Sequence, residues 1–273
     1  SVTFSGTTYN ANQQTYTAAA GNNLKLTNGA TTTFTSTDDA IAFNTADILL
    51  SGGTNLVVNS AGGAISALAI NGTTSEDVTL NANTGTTNTV TVGAIGTGAG
   101  KINTVALTGS GGVRLNGSIT TDANTGNSVT VTGAATLGAN VTIDTSANTG
   151  DTTGTVGFSS TVNDANAAGT DSLTIKSGGA TATITGVAGG TAALSALTVN
   201  NTAGAGAITL GGIGAGSAGV TGATAVGNTN TASVTFSGTT YNANQQTYTA
   251  AAGNNLKLTN GATTTFTSTD DAI

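Results

Sequence analysis

Short triads in which two apolar residues flank a polar one recur along the whole chain. Val2-Thr-Phe4, Leu24-Lys-Leu26, Ile41-Ala-Phe43, Val78-Thr-Leu80, Val90-Thr-Val92 and Val113-Arg-Leu115 fall in the first half. Val129-Thr-Val131, Val141-Thr-Ile143, Leu173-Thr-Ile175, Leu197-Thr-Val199, Ile208-Thr-Leu210 and Val234-Thr-Phe236 continue the series. Alternation with period two predicts short strands with one face turned inward. Their middle residue is usually Thr, whose β-branched side chain suits the pleat while facing water. Neighbouring triads often start about a dozen residues apart, as from Val78 to Val90 and from Val129 to Val141. Between them lie turn sequences such as Asn83-Thr-Gly85 and Asn124-Thr-Gly126. No long stretch shows the three-and-four spacing of an amphipathic helix, and Ala18–Ala20 predicts at most one short Ala-rich turn.

Two all-β architectures accommodate this pattern: a parallel β-solenoid of stacked coils with two or three short strands each, and a string of β-sandwich domains. Composition separates them. Aromatics make up only 4% of the chain and proline is absent, while glycine numbers 41. A sandwich gathers bulky side chains at its centre and tolerates proline in its loops. A solenoid has a narrow interior, and a segment that stacks on neighbours above and below has no place for a residue without an N–H. The predicted fold is therefore a β-solenoid of Thr-rich strands, with tandem β-sandwich domains as the alternative.

Residues 1–41 recur, letter for letter, as residues 233–273, an offset of 232. Long identical repeats point to a protein whose product is length. Residues 1–232 are expected to form one full tandem repeat, with residues 233–273 beginning the next. At roughly 20–25 residues per coil the unit makes about ten coils, and at ~4.8 Å per coil it rises on the order of 50 Å. No proline, charge run or Ser/Gly-only stretch interrupts Val226 to Phe236. The junction around Thr231-Ala-Ser233 is accordingly expected to be another coil rather than a linker. Neither end of the chain carries a recognisable cap or signal peptide, as expected of a slice of a longer array.

Charge narrows the function classes. Charged residues make up 6% of the chain and the net charge is −7. Five scattered bases cannot form the basic face that nucleic acid requires. No run of about 18 apolar residues exists to span a membrane. With no Cys and no His, disulfides, thiolate metal sites and the usual nucleophile–base pairs are excluded. Arg114 is the sole arginine, on a strand whose neighbours Val113 and Leu115 face the other way. Adjacent Asp38 and Asp39 would point to opposite sides of an extended strand, so no catalytic carboxylate pair is expected there.

Calcium is the one cofactor with candidate ligands. Asp38, Asp39 and Asp47 form one oxygen-rich group, and Asn163, Asp164, Asn166 and Asp171 form a second. Calcium takes about six to eight oxygens, and neither group contains the EF-hand or β-roll calcium motif. The same residues also suit Asx turns between strands. The glycine runs Gly93-Ala-Ile-Gly96-Thr-Gly98 and Gly211-Gly-Ile-Gly214 lack the helix and lysine of a phosphate loop. Tyr9, Tyr16, Phe34 and Phe43 read as a local core anchor, or, if Tyr9 or Tyr16 is exposed, as a sticky patch for carbohydrate or lateral packing.

The stretches SITTDANTGNSVTVTGAATLGANVTIDTSANTGDTTGTVGFSSTVNDA and LTIKSGGATATITGVAGGTAALSALTVNN, with the duplicated SVTFSGTTYNANQQTYTAAAGNNLKLTNG, resemble repeats of giant bacterial surface proteins. The similar families are filamentous-haemagglutinin-like and autotransporter-type adhesins. The resemblance implies a right-handed parallel β-helix, export to the cell exterior, and roles in adhesion, aggregation or fibre formation. The expected partners are neighbouring repeats, other fibres laterally, and surface glycans. The leading expectation is a non-enzymatic filament or adhesin stalk. The alternatives are a glycan-binding face and, on fold analogy alone, an enzyme acting on polysaccharide.

Overall fold

The triads become strands, and every pairing between strands is parallel. The computed structural model describes residues 1–97, 102–122, 126–146, 153–200, 204–269 and 273. Asn124 and Thr125 of one predicted turn, and Gly98 of a glycine run, lie outside the described residues. Among the described residues there is no helix, and Ala20-Gly21 is a simple turn. Sandwich domains are built from antiparallel sheets, so the uniform parallel pairing rules that alternative out. The chain is a parallel β-solenoid with three faces.

The first face runs through Val2–Phe4, Asn23–Leu26, Asp47–Leu50 and Ile70–Asn71. The single residue Ile95 bridges it onward to Ile119–Thr120, Val141–Asp144, Leu173–Lys176, Leu197–Val199, Ala223–Val226 and Gln245–Tyr248. The second face is one unbroken 11-stranded sheet. It begins Thr8–Ala11, Thr32–Ser36, Leu56–Ser60, Glu76–Ala82, Ile102–Gly109 and Ser128–Thr132. It closes with Thr155–Phe158, Ala182–Ile184, Ile208–Leu210, Ser233–Phe236 and Asn255–Leu258. The third face starts with Gln14–Thr17, Ile41–Asn44, Ile65–Ala67, Thr89–Val92, Gly112–Leu115, Ala135–Leu137 and Val162–Asp164. Bridges at Ala188 and Ile213 carry it to Thr240–Ala243 and Thr265–Ser268.

Each coil thus has three faces, held by strands or, at Ile95, Ala188 and Ile213, by a single bridging residue, where the dozen-residue spacing suggested two or three strands. The interval from Val129 to Val141 contains a complete third-face strand, Ala135–Leu137, whose inward residues are Ala135 and Leu137. The later third-face rungs are hard to read because Ala135–Leu137 is short and Ala188 and Ile213 stand alone.

Along each face the inward residues stack on their counterparts one coil away. On the third face Ile41, Ile65, Val90, Val113, Ala135 and Val162 form one such file, all buried. Fully burying a Val, Leu or Ile side chain contributes about 1.5–3 kcal/mol. Each coil supplies several, so stability accrues coil by coil.

The corners explain the missing proline. Between the first and second faces a buried polar spine joins successive coils. Thr54 Oγ1 accepts from Gly29 N (2.9 Å), and Asn200 Oδ1 accepts from Ser177 N (2.8 Å). Asn127 Nδ2 donates to the Thr145 carbonyl (2.9 Å). Corner N–H groups are therefore occupied by the coil above or below, and proline would leave those acceptors empty. Glycine answers the other demand of a corner. Gly96 has φ of +64°, and a Cβ there would fall 2.1 Å from the Thr120 carbonyl oxygen.

Candidate functional site

Carboxylates are few, and the two most buried ones among the described residues organise corners. Glu76 opens a second-face strand and is fully buried. Its Oε2 accepts from Thr73 N (2.8 Å) and Thr74 N (2.9 Å), and its Oε1 from Thr74 Oγ1 (2.6 Å) and Gly53 N (3.2 Å). Burial by itself raises its pKa, but these donors outweigh burial and hold it below the ordinary glutamate value. The sequence carried one signal for this role that went unread: Glu76 is the only glutamate in the chain, directly after Thr73-Thr-Ser75.

Asp164 plays the same part in the loop after Val162–Asp164. Its Oδ1 accepts from Asn166 N (2.8 Å), and its Oδ2 from Thr170 N (2.8 Å), Thr170 Oγ1 (2.9 Å) and Asp171 N (2.9 Å). Burial raises its pKa, and the N–H groups of Asp171 and Asn166 with the Thr170 donors bring it below the usual aspartate value. Asn163 Oδ1 accepts from Thr191 N (3.0 Å) and Ala192 N (3.3 Å) of the next coil. Asp171 Oδ2 accepts from Asn166 Nδ2 (2.6 Å).

The structure therefore brings Asn163, Asp164, Asn166 and Asp171 into one loop, as their spacing suggested. The oxygens of Asp164 and Asn163 face donors, however, which present positive charge where a cation would present its own. The other calcium group does not converge. Asp38 and Asp39 sit exposed at the corner before Ile41–Asn44, and Asp47 is exposed beyond that strand, at the start of the next coil. Asp39 Oδ2 accepts from Asn12 Nδ2 (3.3 Å), and Asp47 Oδ1 accepts from Ala69 N (3.3 Å). Among the described residues no three carboxylates are grouped to hold a metal ion.

A surface depression on the third face collects the outward side chains around Arg114. A shallow groove of about 310 Å³ is lined by Thr89, Thr91, Gly112, Arg114, Ala134 and Thr136. Arg114 Nε donates to Asn116 Oδ1 (2.9 Å), and its guanidinium reaches Asn166 Oδ1 at 3.4 Å. The arginine is thus braced across coils toward the Asp164 loop. Gly138 lies beneath it, where a Cβ would meet Asn116 Oδ1 at 2.1 Å and the Arg114 guanidinium at 2.8 Å.

The glycine runs have no phosphate-loop geometry. Each of Gly93–Gly96 and Gly211–Gly214 frames one inward isoleucine, Ile95 or Ile213, that serves as a face of its coil. The aromatic group is a core anchor. Tyr9 stacks on Phe34 with ring centroids 4.9 Å apart, and Phe34 meets Phe43 edge-on at 5.2 Å. Tyr16 Oη donates to buried Gln14 Oε1 (2.7 Å), whose Nε2 donates to the Thr35 carbonyl (2.6 Å).

The chain matches no known protein family, no curated protein and no solved structure.

Proposed function

We propose that this chain is a length-building unit of a giant bacterial surface filament or adhesin stalk, exported and non-enzymatic, in which tandem copies stack into one stiff rod. The observation that carries the reading is the junction between the two copies. Ser233–Phe236 pairs with Ile208–Leu210 in register, Val234 on Ile208 and Phe236 on Leu210. Thr231 is buried, and Ala232 N donates to the Ala205 carbonyl (3.0 Å). No linker separates one copy from the next, so a longer array grows by the same ladder. Its partners in this reading are neighbouring repeats of the same chain and, laterally, other fibres. Negative-stain imaging of the full-length protein tests it. Long thin fibres are expected, and compact particles would defeat it.

A glycan-binding face is the second reading, and one observation favours it. The Arg114 groove offers a braced guanidinium beside the hydroxyls of Thr89, Thr91 and Thr136, donors and acceptors suited to sugar hydroxyls. Binding on a glycan array that is lost in Arg114→Ala would support it, and a blank array would remove it.

A further inference from the structure

The two identical 41-residue segments fold alike but lie on different faces. Val2–Phe4 begins the first face, whereas its copy Ser233–Phe236 is the tenth strand of the second. Thr8–Ala11 begins the second face, and its copy Thr240–Ala243 is the tenth rung of the third. Asn23–Leu26 is the second strand of the first face, and Asn255–Leu258 the eleventh of the second. Every element of the segment is displaced by nine full coils and one face.

The displacement does not come from a different local fold. Val2 pairs with Leu24 and Val234 with Leu256; Thr8 pairs with Thr33 and Thr240 with Thr265. The aromatic packing repeats as well. Phe4 meets Tyr9 at 5.2 Å and 84°, and Phe236 meets Tyr241 at 5.0 Å and 85°. The corner repeats too. Asn28 Nδ2 donates to the Gly6 carbonyl (2.8 Å) and Thr32 Oγ1 (2.5 Å), and Asn260 Nδ2 to the Gly238 carbonyl (2.5 Å) and Thr264 Oγ1 (2.6 Å). One such corner joins the first and second faces, the other the second and third.

We propose that the 232-residue unit is geared to the three-sided cross-section, so that each tandem copy turns its surfaces onto the next face. The inference rests on the tandem-array reading. Three faces per coil make the advance 28 faces, which is not a multiple of three, so a given surface returns to the same face only after three copies. At ~4.8 Å per coil a copy rises about 45 Å, and the three-copy cycle of 28 coils spans roughly 130 Å. A surface such as the Arg114 groove then appears on all three sides of the rod in turn. A lateral partner, including a second rod, is held from every side rather than along one edge.

Paired pyrene labels on outward-facing positions of the 273-residue chain test the gearing. Thr235 lies beside Thr209 on the second face, and Ala225 beside Thr247 on the first. Excimer emission is expected from Thr209→Cys/Thr235→Cys and from Ala225→Cys/Thr247→Cys, and its absence from Ala225→Cys/Thr235→Cys. If the copies were instead in phase, Ser233–Phe236 would stack on Ala223–Val226. Excimer emission from Ala225→Cys/Thr235→Cys, with none from Thr209→Cys/Thr235→Cys, would overturn the proposal. The first-face pair reports in the same measurement that labelled chains fold. The labels read phase within this chain and imaging reads fibre length, so either reading can fail without the other.

Discussion

Residues 1–41 and 233–273 have one sequence and opposite surroundings. In the first copy Leu24 and Leu26 are 0% exposed, covered by Ile48 and Leu50 of the following coil; in the second, Leu256 and Leu258 are 50% and 62% exposed. The reverse holds at the other edge, where Val2 is 38% exposed and Val234 0%, because Val234 rests on Ile208. The comparison separates what the segment encodes from what its neighbours supply. Pairing register, aromatic geometry and corner hydrogen bonds travel with the sequence. Burial, and even the face occupied, are set by the coil beneath. The three faces are interchangeable to this segment because all present it with the same narrow apolar interior.

Identical substitutions in the two copies sharpen that contrast. The largest difference is expected for Val234→Pro against Val2→Pro. The first puts proline inside the ladder at the junction and should cost about 3 kcal/mol or more, whereas the second falls at an exposed edge and should cost below about 0.5 kcal/mol. Urea unfolding of the two variants reads it. Leu24→Ala opens a cavity between stacked coils and should cost about 3 kcal/mol, against less than about 1 kcal/mol for half-exposed Leu256→Ala. Equal losses at the two leucines would mean that the coils do not pack as described.

The corner carboxylates give a pH-dependent prediction of intermediate size. Because the folded-state pKa of Glu76 is depressed, its stabilising contribution is complete above the unfolded value and is lost as pH falls through the folded value. Protection of the Gly53, Thr73 and Thr74 amides, measured against their intrinsic exchange rates, should therefore fall below about pH 4. Glu76→Gln should remove that acid dependence and cost about 1–3 kcal/mol, since an amide N–H₂ replaces one acceptor among donors. The smallest effect separates the two copies again. Tyr241 Oη donates to the Leu210 carbonyl (2.7 Å) and accepts from Gly238 N (3.1 Å), whereas Tyr9 Oη accepts from Gly6 N (3.0 Å). Tyr241→Phe should cost about 1 kcal/mol, and Tyr9→Phe less.

The solenoid was legible in the triads, since period two survives wherever two sizeable apolar residues flank a Thr. The third face was legible only in part: Ile41-Ala-Phe43, Val90-Thr-Val92 and Val113-Arg-Leu115 mark it, but Ala188 and Ile213 hold later rungs alone and Ala135 offers little hydrophobic contrast. The gearing was hidden. The offset of 232 is plain in the sequence, but the number of faces it spans depends on those single-residue rungs. At the candidate sites, spacing correctly grouped Asn163, Asp164 and Asp171 but could not show that the Asp164 oxygens would be filled by backbone donors. It also grouped Asp38 and Asp39 with Asp47, which the strand Ile41–Asn44 holds apart. Glu76 was overlooked because a lone acid in a polar stretch reads as a solvated one.

Continuous stacking through the junction is the claim on which the rod depends, and amide hydrogen exchange over residues 205–236 tests it most directly. Uninterrupted stacking predicts that the amides of Ala232 and Val234–Phe236 exchange as slowly as those of Ile208–Leu210, the strand they sit on. Fast exchange confined to residues 227–233, between protected flanks, would reveal a hinge and contradict the account.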